Sequence, residues 1–178
     1  NFSVSATFKY LFSDMGRIGN SRGASSVAFD LGVLYKCEIN DWEGAGWSVG
    51  LHVSNLGPKI NYLTSKDALP ATVKVGGAAD LPFLQMHKLT LTADLGYRLS
   101  PADVQALSVS AGAEYAWREL VMLRGGYHCG DKKKGDASYA TAGAGVEYAG
   151  VRLDFAWLFA GHEYLARNTF WVSLGYSF

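Results

Sequence analysis

Apolar and polar residues alternate along most of this chain. In the segment 169–178 every second residue is apolar, and most of the residues between them are small or polar. A β-strand points successive side chains to opposite faces, so this pattern predicts a strand with one apolar and one polar face. The same alternation runs back through the sequence and sets the expected fold.

Ten strands are predicted in this way, and no stretch with a helical period of useful length competes with them. The predicted strands are 2–13, 27–40, 47–55, 72–81, 88–98, 107–117, 120–128, 140–148, 151–159 and 169–178. The chain is therefore expected to be all-β, antiparallel and up-and-down in topology.

Charge separates the two predicted faces. The apolar face carries no acid, base or histidine, whereas the other face carries acids and bases in equal number. A water-soluble sandwich also alternates, but its charges point to bulk water. A balanced set among small residues indicates a closed interior in which the charges pair or meet trapped water, because an unpaired charge there is costly. The predicted lumenal charge network is Lys9, Asp30, Lys36, Glu38, Lys74, Asp80, Lys88, Asp94, Arg98, Glu114, Arg124, Glu147, Arg152 and Asp154.

Connections between the strands alternate in length. Those at 40–46, 82–87, 118–119 and 149–150 are short, and those at 14–26, 56–71, 99–106, 129–139 and 160–168 are mostly longer. Outer-membrane barrels combine short periplasmic turns, long extracellular loops and an aromatic girdle at each interface, and aromatic residues fall at both ends of these strands.

These patterns together predict a transmembrane β-barrel of the bacterial outer membrane. We expect a single barrel domain over 1–178, with both termini in the periplasm and with membrane lipid and lipopolysaccharide as neighbours. A terminal strand that ends on an aromatic residue is typical of such barrels, where it acts as an insertion signal. The residues assigned to that signal are Phe170, Val172, Leu174, Tyr176 and Phe178.

Composition agrees with this interpretation without deciding it. The 178 residues have zero net charge, 18% charged and 49% hydrophobic residues, so no overall field favours nucleic acid. No run of eighteen apolar residues predicts a transmembrane helix. The sequence begins without a signal peptide, so we expect that processing or truncation has removed a preceding segment. Cys37 and Cys129 are expected to be free thiols, although an oxidising compartment would let them pair.

Candidate chemistry in the sequence is sparse. Some outer-membrane barrels are lipases or acyltransferases with Ser and His at the outer rim, and His128 with Ser138 is the candidate for such a site in this sequence. We expect no enzyme, because no acid is seen to orient His128 and no nucleophile motif surrounds Ser138. No cofactor is expected, and two carboxylates at 131 and 136 do not make a calcium site.

Several segments share a pattern of turns and small residues. They are Ser54-Asn55-Leu56-Gly57-Pro58-Lys59-Ile60, Leu69-Pro70-Ala71-Thr72-Val73-Lys74-Val75-Gly76-Gly77, Arg124-Gly125-Gly126-Tyr127-His128, Tyr139-Ala140-Thr141-Ala142-Gly143-Ala144-Gly145-Val146 and Arg167-Asn168-Thr169 through Phe178. In these segments the chain resembles the PorV/PorQ family of Bacteroidetes outer-membrane proteins. Members of the family resemble FadL-like barrels of fourteen strands. The resemblance implies either that N-terminal strands are missing here or that about ten strands close by pairing the first with the last.

The resemblance also implies a role in type IX secretion. Such barrels bind a large translocon and the C-terminal domains of exported cargo, and shuttle that cargo at the cell surface. The extracellular loops would carry the contacts, and the candidate contact residues are Arg17, Arg22, Lys59, Lys66, Lys132, Lys133 and Lys134.

Two other functions stay open at this point. A FadL-like transporter would pass hydrophobic small molecules, but the chain shows no hatch and its lumenal positions are charged. A general porin would conduct ions, and single-channel conductance discriminates it from a barrel whose lumen is filled by paired charges.

Overall fold

The alternating segments form one antiparallel sheet in a computed structural model, which describes residues 1–13, 24–61, 66–161 and 168–177. The strands are β1 (Phe2–Ser13), β2 (Ala24–Glu38), β3 (Gly46–Leu56), β4 (Ile60–Asn61), β5 (Lys66–Asp67), β6 (Thr72–Phe83), β7 (His87–Arg98), β8 (Leu107–Trp117), β9 (Val121–Cys129), β10 (Tyr139–Tyr148), β11 (Val151–Ala160) and β12 (Thr169–Tyr176). Ten of them pair in the order β1-β2-β3-β6-β7-β8-β9-β10-β11-β12. The prediction of an all-β, up-and-down fold with ten strands is confirmed.

Three details of the sequence prediction were wrong. The second strand begins at Ala24 instead of residue 27 and ends two residues early. The turn predicted at 118–119 includes residue 120, because Trp117 pairs with Val121. The short strands β4 and β5, which within the described residues pair only with each other, were not predicted.

Short 3-10 helices occur at Ala102–Val104 and Lys132–Lys134. No helix among the described residues has the length and apolar character needed to cross a membrane.

The two faces of the sheet are exposed in the opposite sense to those of a soluble sandwich. Apolar-face side chains such as Phe8 (62% exposed) and Leu174 (76%) are open, and among the described residues no large side chain is fully buried. The buried apolar residues are mostly small, and they are Ala24, Ala28, Ala45, Leu69, Ala71, Ala106, Ala116, Met122 and Leu158. Contiguous exposed apolar surface of this extent is what a lipid-facing sheet presents.

The sheet has two distinct ends. At one end, called the turn end, strands connect through 39–45, 84–86, 118–120 and 149–150. Arg118 and Glu119 both have positive φ, as do Ala149 and Gly150, which matches the twist that tight hairpins require. The opposite end, called the loop end, carries the longer connections, so the predicted alternation of lengths is present.

Aromatic side chains meet at both ends. Tyr35 and Trp47 lie with ring centroids 5.6 Å apart at the turn end, and Phe8 and Phe29 lie 5.3 Å apart towards the loop end. Both pairs are on the apolar face, where two aromatic girdles were expected.

The first and last strands have different surroundings from the rest. Within the described part of the chain, β1 pairs only with β2, β12 pairs only with β11, and no pairing joins β1 to β12. Closure of a ten-strand ring and membership of a larger barrel both remain predictions. Phe178 lies outside the described residues. Cys37 and Cys129 are free thiols, as expected.

Candidate functional site

The loop-end part of the polar face of β2 is covered by the connection between β3 and β6. Ser26 Oγ donates to the carbonyl oxygen of Pro58 at 3.0 Å. A Cβ on Gly57 would lie 2.1 Å from the Val27 carbonyl oxygen, so only glycine permits this approach. Ala28 is fully buried beneath the connection. The described parts of this connection, 57–61 and 66–71, therefore pack on the polar face.

An ion pair sits at the base of this cover. Lys9 Nζ lies 2.5 Å from Asp30 Oδ2 and 3.2 Å from Asn55 Oδ1. Asp30 Oδ1 also accepts from the backbone N–H of Asn55 at 2.8 Å, where the β2–β3 register shifts between Phe29 and Leu31. At this register shift the Asp30 carboxylate accepts the hydrogen bond of the Asn55 N–H in place of a backbone carbonyl of the partner strand. The same contact holds the chain where the covering connection begins.

Towards the turn end from this cover, the polar face forms a concavity of about 650 Å³. Its walls are mostly small, with Ser3, Ser5, Gly32, Ser48, Gly50, Gly76 and Ala78 among the residues that line it. Three titratable side chains border it, namely His52, Lys74 and Asp94. Among the described residues none of the three has an ion pair or a hydrogen bond.

The Lys74 side chain on β6 extends over β7, and the Asp94 side chain on β7 extends over β6. A Cβ on Gly76 would be 2.4 Å from Asp94 Oδ1, and a Cβ on Gly96 would be 3.7 Å from Lys74 Cε. Each long side chain therefore rests over a glycine of the neighbouring strand, and the two charges do not meet. Pairing with another charge or contact with trapped water was expected for the lumenal charges, and for Lys74 and Asp94 this stays a prediction. The same holds for Lys36 and Glu38, which form no ion pair within the described residues.

The opposite half of the polar face holds a chain of ion pairs. Arg124 contacts both Glu114 and Asp154. Arg152 then contacts Asp154 at 2.7 Å and Glu147 at 3.6 Å. The chain runs from β8 through β9 to β11, and it satisfies five of the residues assigned to the charge network.

Two glycines allow Arg124 to cross β10. Gly143 is the register partner of Arg124, and Gly145 is the register partner of Asp154. A Cβ on Gly145 would lie 2.5 Å from Asp154 Oδ1 and 3.4 Å from Arg124 Nη1. The bare backbone of β10 therefore provides the space in which these two side chains meet.

A smaller cluster lies near the turn end. Asp80 accepts from Lys88 Nζ at 3.1 Å and from Thr90 Oγ1 at 2.7 Å. Arg98, which was expected in the same network, instead donates to the backbone carbonyl of Lys134 at 3.1 Å. The charges on the polar face thus form separate clusters.

His128 has an acidic partner, so the expectation that no acid orients it was wrong. His128 Nε2 lies 3.1 Å from Asp136 Oδ1, and its Nδ1 lies 2.9 Å from Ser110 Oγ. Ser138 does not contact His128, because its hydroxyl bonds to the N–H and the carbonyl of Gly130. Sequence reasoning missed Ser110 and Asp136, since the contacts depend on the β8–β9 register and on the fold of the following loop.

The candidate partner-contact lysines lie at the loop end. Asp131 caps the 3-10 helix Lys132–Lys134 by accepting from the backbone N–H of Lys133 at 2.9 Å. Lys134 Nζ donates to the Asp103 carbonyl at 3.0 Å, which ties this connection to the neighbouring one. The loops 99–106 and 130–138, called the braced loops below, therefore support one another and leave Lys132 and Lys133 exposed.

The remaining candidate contacts are dispersed. Lys59 and Lys66 are exposed on the connection between β3 and β6. Arg17 and Arg22 lie outside the described residues. No group of histidine, cysteine and acidic side chains in the described ranges is arranged to hold a metal ion.

Comparison with known proteins gives one informative result. A family model described as Type IX secretion system protein PorV matches residues 1–105, which include β1 to β7, the covering connection and the concavity. A search of curated proteins finds no match. The resemblance noted at 124–128, 139–146 and 167–178 lies beyond the matched residues and stays a prediction.

Proposed function

The chain belongs to the PorV family of type IX secretion system proteins, and from this we propose that it is an outer-membrane barrel that binds the translocon, cargo C-terminal domains, or both. In this role it shuttles exported protein at the cell surface. The role is one of binding and transfer and requires no chemical step. The family match is the observation that carries it.

Placement in the outer membrane is supported by the inverted exposure of the sheet. Uncharged apolar side chains cover one face, and aromatic pairs lie near both of its ends. In this placement the apolar face contacts lipid, the loop end faces outward towards lipopolysaccharide, and the turn end with both termini faces the periplasm.

The braced loops are the surface that we assign to partner binding. Their mutual contacts hold the backbone that presents Lys132 and Lys133, so little ordering entropy is lost when a partner docks. Two adjacent exposed ammonium groups favour an acidic patch on the partner, and rim charges of this kind act mainly through the association rate and its salt dependence.

A hydrophobic transport path is less well supported. The concavity is bordered by His52, Lys74 and Asp94, and the covering connection occupies the polar face on its loop-end side. Charged side chains beside the concavity would raise the free-energy cost of moving an apolar solute past them. The secretion role is therefore preferred over a FadL-like transporter.

Direct binding tests the proposal. The purified chain in detergent should bind a purified cargo C-terminal domain, and the double variant Lys132→Glu/Lys133→Glu should slow association about tenfold at low salt. The control variant is Arg118→Glu, an exposed charge reversal at the turn end, which should leave association unchanged. Absence of binding to both cargo domain and translocon would contradict the secretion role, and an equal loss in the two variants would contradict the assigned surface.

A further inference from the structure

Ser110, His128 and Asp136 form a hydrogen-bonded chain near the loop end of the polar face. Asp136 Oδ1 lies 3.1 Å from His128 Nε2, and Ser110 Oγ lies 2.9 Å from His128 Nδ1. An ionised carboxylate only accepts hydrogen bonds, so in the neutral imidazole the proton is on Nε2. Nδ1 then carries the lone pair, and Ser110 donates to it. The imidazole is thus aligned as a base for the Ser110 hydroxyl.

The surrounding structure fixes this alignment. The ring of Tyr139 stacks on His128 with centroids 4.8 Å apart. A Cβ on Gly130 would lie 2.5 Å from Asp136 Cγ, so a glycine is needed for the loop to bring the carboxylate back to β9. The side chains of His128 and Asp136 are only 16% and 21% exposed, which limits competition from water.

A floor of two glycines lies in the row next to Ser110. Gly112 and Gly126, the next polar-face residues towards the turn end, are register partners and carry no side chains. The hydroxyls of Thr92 and Thr141 border this floor on either side, each 3.0 Å from where the Cβ of the adjacent glycine would be. The following row is closed by the contact between Arg124 and Glu114. The row between Ser110 and that contact therefore carries no side chain on β8 or β9, and a small acyl group is assigned to it.

We propose that these residues form an acyl-transfer site for short-chain carboxylic esters, an activity separate from partner binding. Ser110 Oγ attacks the ester carbonyl carbon while His128 Nδ1 takes the hydroxyl proton. The bond to the alcohol oxygen breaks, and the alcohol leaves with the proton from His128. Water then attacks the acyl carbon and gives a proton to His128, which passes it to Ser110 Oγ as the bond between Oγ and the acyl carbon breaks. The carboxylic acid leaves, so that one ester and one water yield one acid and one alcohol.

Asp136 acts as a positioning residue in this scheme, because it holds the imidazole and balances the charge that His128 gains. The Thr141 hydroxyl is the side-chain donor beside the floor for the charge that develops on the carbonyl oxygen, whereas Thr92 Oγ1 donates to the carbonyl oxygen of Gly112 at 3.4 Å. A pure loop tether would require only the contact between His128 and Asp136. A loop tether would need neither the hydrogen bond from Ser110 to His128 Nδ1 nor the glycine floor.

Active-site labelling tests the proposal on the full chain purified in detergent. A biotinylated fluorophosphonate should label the wild-type protein at Ser110, located by peptide mass spectrometry, and the protein should hydrolyse p-nitrophenyl acetate. Ser110→Ala should abolish both signals. Asp136→Asn should slow labelling by at least tenfold, since general-base assistance contributes about 10²–10⁴-fold.

Ser138→Ala is the matched control, because it removes hydrogen bonds from the same loop and leaves the hydrogen bonds of His128 to Ser110 and Asp136 in place. It should be labelled at the wild-type rate. Folding of each variant is checked by the heat-dependent gel mobility that barrels show. An unlabelled Ser110 in folded wild-type protein, or equal labelling rates for wild type and Asp136→Asn, would overturn the proposal. Cargo binding measured on the same samples tests the secretion role independently.

Discussion

The two halves of the polar face use charge in different ways. Across β8 to β11, Arg124 and Arg152 connect three carboxylates into one chain of ion pairs. Around the concavity, Lys74 and Asp94 each lie over a glycine of the neighbouring strand and have no ion-pair partner among the described residues. Alternation of polar and apolar residues is the same in both halves, so the pattern alone does not decide whether a polar face is bridged or left open.

Glycine placement accounts for the difference. Gly143 and Gly145 lie between two strands that carry long, oppositely charged side chains, so their bare backbone becomes the route along which those side chains meet. Gly32 and Gly50 face His52 and Leu34 of the neighbouring strands, and neither of these side chains forms an ion pair across the glycine. Glycine therefore makes room for a contact between opposite charges in one half, and for side chains that form no ion pair in the other.

A charge on the apolar face should have the largest effect, because the comparison assumes that this face meets lipid. Leu91→Arg should destabilise the protein by about 2–4 kcal/mol if the residue lies near the bilayer midplane. Urea unfolding in lipid vesicles, followed by tryptophan fluorescence, measures this free energy.

Ser48→Arg is the matched control for that variant. Ser48 is on the polar face at nearly the same level of the sheet, since Ala78 is its register partner and Ala79 is that of Leu91. Its free energy of unfolding should change by less than about 1 kcal/mol. Equal losses in the two variants would mean that the faces are assigned incorrectly.

Removal of a base from each half tests the comparison itself. Arg124→Met leaves Glu114 and Asp154 without their shared partner and should cost about 2–3 kcal/mol, below the value for a fully buried pair because these groups are partly exposed. Lys74→Met, the control, breaks no ion pair and should cost less than about 1 kcal/mol. A loss for Lys74→Met as large as that for Arg124→Met would show that the concavity holds a partner for Lys74.

A methyl group at a glycine in each half should give the smallest effect. Gly145→Ala should displace the Asp154 carboxylate from Arg124, and the lost charge-assisted bond should outweigh the entropic gain of alanine by about 1 kcal/mol. Gly50→Ala meets only ordinary contacts at 3.5 Å and should be neutral or slightly stabilising. Chemical unfolding of the two variants side by side measures the difference, and a neutral Gly145→Ala would show that Asp154 adjusts without loss.

Strand positions were predictable because each strand carries its own two-residue period. Register was harder, and the hairpin between β8 and β9 shows why. A two-residue turn at 118–119 would place Ser110 opposite Tyr127, although these residues belong to different faces. The observed turn includes residue 120 and places Ser110 opposite His128. Directly paired residues on neighbouring strands must point to the same face of the sheet. Applied to the sequence, this rule would have extended the turn to residue 120 and revealed the contact between Ser110 and His128.

The contacts made by loops could not be predicted in the same way. Asp136 reaches His128 because Gly130 permits a close backbone approach, and Arg98 reaches the Lys134 carbonyl across two connections. The two-residue period of a strand carries no information about these contacts, since they depend on how separate connections fold against each other.

The sequence by itself determined the ten strands, the separation of an uncharged face from a charged one, and the alternation of short and long connections. Each of these features follows from a short stretch of sequence, because a strand fixes the direction of every side chain relative to its neighbours. The tertiary structure decided which charges meet, where the polar face stays open and which groups surround His128. Those outcomes depend on register and on loop packing, and a displacement of one residue between strands changes every partner.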